Sequence, residues 1–233
     1  IRKSSIAFYL RGMMPAASGS KEAMDVKHAE FMKSSAHPQE CPPPERPEYA
    51  FIGRSNVGKS SLINMLTNRN SLAKISSTPG KTQLINHFVI DEDREKNGVP
   101  ASWYLVDLPG FGYAKVSKSS RVKWQRTSEQ FLKSRPNLMC VMMLLDSRHS
   151  AQKVDMEFME WMGENQLPFV MVFTKVDKLN LEERASFLSK YEAEMLKRWH
   201  RMPPVYVTSA EKGEGRDEVL RFIEQTNALF EAP

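Results

Sequence analysis

The sequence predicts an α/β fold: a three-layer α/β/α sandwich around a mostly parallel sheet of about six strands. Two observations support this prediction. From residue 48 onward, short apolar runs alternate with longer amphipathic segments, which is the pattern of strands followed by helices. The apolar runs also lack a regular apolar–polar alternation, as expected for parallel strands that helices cover on both faces.

Six apolar runs are the predicted strands, and Ala29–Ser35 could add a short edge strand. In chain order the six are Tyr49–Ile52, Leu84–Ile90, Trp103–Val106, Leu138–Leu145, Phe169–Phe173 and Val205–Val207. The predicted helices are Lys59–Thr67, Lys118–Ser134, Lys153–Glu164, Leu181–Trp199 and Arg216–Phe230. Between the second and third strands, the polar segment Asp91–Ala101 is interpreted as an exposed hairpin insertion.

The chain divides into an N-terminal arm, residues 1–46, and one α/β domain, residues 47–233. In the arm, Pro38 and the Pro42–Pro44 run predict a stiff extended connector that excludes helix. Residues 1–20 carry basic and small residues and no acidic residue, which is typical of organellar targeting. We therefore expect a mitochondrial location first and a plastid location next. A flexible basic tail on a cytoplasmic protein is the alternative.

The sequence excludes a membrane-spanning protein and a protein held together by a disulfide framework. Among 233 residues there are 33 basic and 28 acidic side chains, giving a net charge of +5, which allows a polyanionic partner without requiring one. The longest apolar run, Leu138–Leu145, is far shorter than the roughly 20 residues that cross a bilayer. Two cysteines cannot supply a disulfide framework. We expect no membrane partner.

A phosphate-binding loop follows the first strand of the domain. Residues 53–60 match G-x-x-x-x-G-K-[ST] at every fixed position, between a strand and a helix. The loop backbone is expected to surround phosphate oxygens. Lys59 should reach the β- and γ-phosphates, and the Ser60 hydroxyl should bind Mg²⁺. The residues assigned to nucleotide binding here are Gly53, Arg54, Ser55, Asn56, Val57, Gly58, Lys59, Ser60 and Ser61.

A second motif, Asp107-Leu108-Pro109-Gly110, ends the third predicted strand. A carboxylate at this place can hold Mg²⁺, directly or through water, and the Gly110 N–H can sense a γ-phosphate. The D-x-x-G pattern alone is usually only a turn, but behind an apolar strand and after a phosphate-binding loop it indicates a nucleotide site.

A third motif, Thr174-Lys175-Val176-Asp177, follows the fifth predicted strand. The Asp177 carboxylate can accept hydrogen bonds from guanine N1–H and its 2-amino group, neither of which adenine offers. Two charge-assisted bonds of roughly 1.5–3 kcal/mol each favour guanine by on the order of 10²–10⁴. The Lys175 stem is expected along the base. A loop containing Thr208, Ser209 and Ala210 would read the guanine carbonyl. A plain surface turn is the alternative.

A fourth segment, Ser77–Gln83, lies between the first helix and the second strand. A mobile loop there can bring a threonine hydroxyl to Mg²⁺ while the γ-phosphate is present. Thr78 and Thr82 are both candidates, and Thr82 is preferred because it adjoins the strand. Gly80 and Lys81 complete the predicted contact with nucleotide.

Four segments together resemble the EngB/YihA family, GTPases of large-ribosomal-subunit assembly. They are residues 53–64, 79–83, 107–114 and 174–177. The resemblance implies a P-loop GTPase domain that binds GTP or GDP, with Ser60 and Thr82 as Mg²⁺ ligands beside Asp107. It also implies two nucleotide-sensing switches, Pro79–Phe88 and Phe111–Lys123. Family members occur in bacteria, plastids and mitochondria.

The predicted chemistry is slow GTP hydrolysis with Lys59, Thr82 and Gly110 as the catalytic groups. Phe111 stands where Ras-type GTPases carry a water-positioning glutamine, so unassisted turnover should be on the order of 10⁻⁴–10⁻² s⁻¹. A ribosomal particle is expected to stimulate it. Asn56 matches the asparagine that holds K⁺ in some relatives, which implies stimulation by K⁺.

A basic stretch around the second predicted helix, Lys118–Ser134, is the predicted rRNA contact, with binding that weakens as salt rises. It contains Lys115, Lys118, Arg121, Lys123, Arg126, Lys133 and Arg135, with Trp124 among them. The expected partner is a precursor of the large ribosomal subunit, and the chain should be a monomer away from it. Two alternatives remain: a switch that recognises a protein effector, and a scaffold that binds GTP without hydrolysing it.

Overall fold

The computed structural model describes residues 24–73, 84–91, 95–96, 99–100, 102–111 and 118–232. For residues 95–96, 99–100 and 118–125 the description is of the backbone alone. Several predictions fall outside these residues: the basic N-terminal segment, residues 79–83 of the first switch and residues 112–117 of the second. The site residues concerned are Thr78, Gly80, Lys81, Thr82 and Lys115.

The described residues form a sheet of seven strands, and all six predicted strands are present within a residue or two of their predicted ends. The strands of this sheet are β1 (Ala29–Ser35), β2 (Glu48–Gly53), β3 (Ile85–Ile90), β6 (Trp103–Asp107), β7 (Leu138–Asp146), β8 (Phe169–Thr174) and β9 (Val205–Val207). Two further short strands, β4 (Glu95–Lys96) and β5 (Val99–Pro100), pair antiparallel with each other. The predicted hairpin insertion is therefore present.

The strand order is β1-β3-β6-β2-β7-β8-β9. The five strands from β6 to β9 run parallel to their neighbours, whereas β3 pairs antiparallel with both β6 and β1. The predicted edge strand at Ala29–Ser35 is thus real, and it brings the sheet from six strands to seven. Because β2, β6, β7 and β8 are parallel, the loops after them meet at one edge.

In the described part of the chain, five α-helices cover the sheet on both faces, which confirms the three-layer architecture. They are α1 (Lys59–Leu66), α2 (Lys118–Ser134), α3 (Lys153–Glu164), α4 (Leu181–Met195) and α5 (Arg216–Asn227). One buried apolar cluster contains side chains of α1 and α5, and the other contains side chains of α2, α3 and α4. No helix among the described residues is long and apolar enough to cross a membrane.

The connector before β2 departs from the prediction at one point. Pro38–Glu40 form a 3-10 turn, although this segment was predicted to exclude helix. The prediction was wrong because Pro38 is the first residue of the turn, where its missing N–H leaves no hydrogen bond unmade. The Glu40 carboxylate accepts from the backbone N–H of Ala36 at 2.8 Å and so fixes the turn.

The polar segment after β3 also begins differently from the prediction. Asp91, interpreted as the start of an exposed insertion, is buried. Its Oδ1 accepts the backbone N–H groups of Lys27 and His28 at 2.8 and 2.9 Å. Asp91 therefore joins the chain before β1 to the end of β3, because buried carboxylate oxygens need such donors.

A buried charged group lies under the end of α2, and we call Glu48, His87 and Arg135 the Glu48 cluster. Glu48 Oε2 accepts from Arg135 Nε at 2.9 Å, and Oε1 accepts from Arg135 Nη2 and from His87 Nε2, each at 3.0 Å. Burial alone would raise the pKa of Glu48, but these hydrogen bonds lower it. Arg135, predicted to contact rRNA, is buried in this cluster, so that prediction was wrong.

Candidate functional site

The phosphate-binding loop connects the end of β2 to α1 and depends on two glycines. A Cβ on Gly53 would lie 2.7 Å from the carbonyl oxygen of Leu144 on β7, so only glycine allows this close packing. Gly58 has a φ of +104°, a conformation that residues with side chains rarely adopt. The Leu62 N–H donates to the Gly58 oxygen at 2.9 Å, which is the first hydrogen bond of α1. The N–H groups before it lack acceptors within the helix, as an anion site requires.

The residues after β6 run beside this loop and are joined to it by backbone hydrogen bonds. Leu108 N–H donates to the Phe51 oxygen at 3.1 Å, and Phe111 N–H donates to the Gly53 oxygen at 3.2 Å. Ser55 N–H donates back to the Phe111 oxygen at 3.2 Å. The motif predicted to sense γ-phosphate, with buried Gly110 and Pro109, is therefore held against the phosphate-binding loop.

Lys59 and Asp107 form an ion pair where the two segments meet. Both side chains are nearly buried, with 10% and 5% of their surface exposed. Burial lowers the pKa of Lys59 to about 7, so an adjacent anion is needed to keep the ammonium charged at neutral pH. Asp107 supplies one negative charge, and a triphosphate would supply several more. This environment fits a lysine that binds phosphate.

The residues present also fit Mg²⁺. Ser60 lies in the first turn of α1, next to Lys59, and Asp107 ends the neighbouring strand. A hydroxyl and a carboxylate are the oxygen ligands that Mg²⁺ takes in proteins. When bound, the ion would neutralise charge on the β- and γ-phosphates. The third predicted ligand, Thr82, lies outside the described residues.

The turn after β8 is attached to the phosphate-binding loop from the other side. Thr174 Oγ1 donates to the Val57 oxygen at 2.5 Å, and Lys175 Nζ donates to the Asn56 oxygen at 2.6 Å. Lys175 has a φ of +61°, and its Cε lies 3.4 Å from where a Cβ of Gly58 would be. The lysine stem therefore crosses the loop, as expected of a residue that lies along the base.

Asp177 lies two residues further on, where the loop after β9 reaches it. The Ser209 hydroxyl donates to Asp177 Oδ1 at 2.5 Å and lowers the pKa of that carboxyl. Val176 N–H donates to the Thr208 oxygen at 3.3 Å, while Ala210 is exposed. Asp177 is thus kept ionised, which is the form that can accept both guanine donors.

Arg54 and Asn56 differ from their neighbours in the loop. The Arg54 guanidinium lies 3.8 Å from Asp155 of α3, so its side chain extends toward that helix. Burial raises the pKa of Asp155 to about 6, although Arg54 opposes the shift. Asn56 is exposed, with a φ of +61°.

Sequence reasoning missed three residues that support the site. Asp146 ends β7 and contacts Lys175, and Asp155 contacts Arg54. Asn64 of α1 accepts the Ala73 N–H at 2.8 Å and donates to the Ala73 oxygen at 3.1 Å. Only Asp146 could have been recognised from the sequence, because it ends an apolar strand as Asp107 does.

The parallel sheet brings the phosphate-binding loop, the D-x-x-G turn and the Thr174–Asp177 turn to one edge. This arrangement defines a P-loop GTPase. A family model described as "50S ribosome-binding GTPase" matches residues 48–175. The probable GTP-binding protein EngB of Christiangramia forsetii is 50% identical over 204 residues, covering 88% of this chain and 98% of the relative. The corresponding protein of Porphyromonas gingivalis is 48% identical, covering 88% and 97%. The chain therefore belongs to the EngB family of GTP-binding proteins.

Solved structures share the fold. A crystal structure of a probable GTP-binding protein EngB has a TM-score of 0.53 at 23% identity, covering 78% of this chain and 99% of that one. Aquifex aeolicus Era bound to GDP and AlF₄⁻ has a TM-score of 0.61 at 21% identity, covering 77% and 56%. These structures confirm the predicted fold class, and membership of the family confirms guanine-nucleotide binding and GTPase activity. The roles of individual site residues stay predictions.

Proposed function

We propose that this GTPase is an assembly factor for the large ribosomal subunit. In the GTP state it binds a preribosomal particle, and after hydrolysis it leaves. The observation that supports this most is the hydrogen-bonded contact between the phosphate-binding loop and residues 108–111, because α2 begins a few residues later and carries the basic stretch. A change at the γ-phosphate can thus reach a helix suited to rRNA phosphates.

The basic stretch retains part of its predicted make-up in the structure. Arg126 and Lys133 are exposed on α2, whereas Arg135 is excluded by its burial. For Lys118, Arg121 and Lys123 the proposal rests on their positions in the helical sequence. Mg²⁺ bound by Ser60, Thr82 and Asp107, and K⁺ held by the exposed Asn56, are further parts of this proposal. Because the family is a GTPase family, a scaffold that never hydrolyses GTP is not retained.

Charge reversal tests the rRNA contact. Lys118→Glu/Lys123→Glu should weaken sedimentation with large-subunit particles and flatten its salt dependence by about one unit of slope per lost phosphate contact, while GTP affinity is unchanged. Lys153→Glu/Lys190→Glu is the matched control, since both lysines are exposed on α3 and α4. The measurement is co-sedimentation with a non-hydrolysable GTP analogue over a range of KCl concentrations. An unchanged slope would remove α2 from the interface.

The same assay separates the proposal from a switch that recognises a protein effector. Binding to ribosomal particles should be lost after RNase treatment, whereas an effector protein would be retained. Hydrolysis measured with and without particles, in KCl and in NaCl, tests stimulation by each. A mitochondrial or plastid location stays a prediction from residues 1–20, since the relatives described above are bacterial.

A further inference from the structure

Asp146, the last residue of β7, is held by two basic side chains. Its Oδ1 accepts from Arg148 Nε at 2.9 Å and from the Arg148 backbone N–H at 3.1 Å. Its Oδ2 accepts from Arg148 Nη2 at 2.8 Å and from Lys175 Nζ at 2.9 Å. Burial alone would raise the pKa of Asp146, but these bonds lower it to about 2, so the side chain is an anion at physiological pH.

Lys175 needs such an anion because of where its ammonium lies. The group stands between the end of β7 and the phosphate-binding loop, with 26% of the side chain exposed. It donates to the Asn56 oxygen on the loop side and to Asp146 on the sheet side. Two of its three N–H donors are thus directed to opposite elements, which fixes the path of the stem between them.

We propose that Asp146 is a positioning residue for guanine-nucleotide binding, acting through Lys175. Asp146 anchors the Lys175 ammonium, and Arg148 holds the carboxylate by a two-pronged contact. The Lys175 stem and the Asp177 carboxylate then keep fixed places relative to the phosphate-binding loop. This inference rests on the assignment of Lys175 and Asp177 to the base.

A surface ion pair alone would not have this effect. Arg148 is 44% exposed and only two residues from Asp146, and such pairs contribute little to folding. The contact with Lys175 differs because it joins residues 29 positions apart and leads directly into the loop. Without Asp146, the guanidinium and the ammonium would lie side by side with no anion between them, and repulsion would move Lys175 from the loop.

A double-mutant cycle on GDP dissociation tests the proposal. Asp146→Asn and Lys175→Ala should each speed release of a fluorescent GDP analogue by roughly ten- to a hundredfold, the effect of one charge-assisted bond. In the double variant, release should be no faster than in Lys175→Ala, because Asp146 acts through that lysine. Glu160→Gln is the control, since it removes a carboxylate of α3 that pairs at 3.1 Å with the exposed Arg198, which lies after the end of α4.

Each contrary result has its own meaning. Effects of Asp146→Asn and Lys175→Ala that multiply in the double variant would overturn the positioning role. Normal release from Lys175→Ala would overturn the assignment of that lysine to the base. Arg148→Ala is a second variant should Asp146→Asn fail to fold, and Arg148→Lys should restore part of the slow release. A rise in KM for GTP with unchanged kcat separates positioning from a general loss of folded protein.

Discussion

Two groups of buried charges lie at opposite ends of β2, and they differ in how many protein partners they have. In the Glu48 cluster, both carboxylate oxygens are occupied, and Arg135 also donates to the Pro42 oxygen at 3.0 Å. At the other end, the Lys59 ammonium has one charged partner among the described residues, Asp107. A buried charge that the protein satisfies fully holds the fold together, whereas one satisfied by a single contact can bind a ligand.

The largest effect is expected when the carboxylate of the Glu48 cluster is removed. Glu48→Ala leaves Arg135 buried without a counter-charge, so the free energy of unfolding should fall by about 3–5 kcal/mol. GTP affinity of the remaining folded protein should be unchanged. Urea unfolding followed by circular dichroism measures the loss, with Glu160→Gln as a surface control. A loss below about 1 kcal/mol, the range of exposed pairs, would refute the structural role.

Low pH should reduce the stability that the Glu48 cluster contributes. Since the pKa of Glu48 is lower in the folded than in the unfolded protein, its stabilisation is complete above the ordinary glutamate pKa. It is lost as pH falls through the lowered value.

The next effect concerns the singly paired lysine. Lys59→Ala should weaken GTP binding by about 2–5 kcal/mol, the cost of removing one member of a buried charged contact. Its loss of unfolding free energy should be smaller than that of Glu48→Ala. Titration calorimetry with GTP and urea unfolding together check this. Unchanged GTP affinity would refute the assignment of Lys59 to phosphate binding. The contrast between a lysine that binds ligand and a carboxylate that stabilises the fold would then fail.

The smallest effect concerns Asp155, a buried carboxyl that is less well paired than either group, because its ion pair with Arg54 spans 3.8 Å. Its folded pKa of about 6 exceeds the unfolded value, so stability should fall as pH rises from about 4 to 6. Asp155→Asn should flatten this part of the pH profile and stabilise the protein at pH 7 by about 1–2 kcal/mol. Thermal unfolding between pH 4 and 8 measures it. An unchanged profile would show that Asp155 does not titrate there.

Local patterns made the phosphate-binding loop, the D-x-x-G turn and the Thr174–Asp177 turn predictable, because each motif carries its chemistry within a few consecutive residues. The Glu48 cluster was not predictable, since Arg135 reaches Glu48 from 87 positions away. For the same reason Arg135 was placed on the rRNA face, where its sequence neighbours are basic. The contact of Asp146 with Lys175 likewise depends on the pairing of β7 with β8.

Asn64 has a consequence for how the domain could change over evolution. Its buried amide ties Ala73 to α1, a helix about 12 Å long whose opposite end adjoins the phosphate-binding loop. Ala73 is therefore held at a fixed place relative to α1. Insertions or deletions after Ala73 can therefore change the sequence there without disturbing the phosphate-binding loop. New binding specificity could evolve in this way while GTP hydrolysis is conserved.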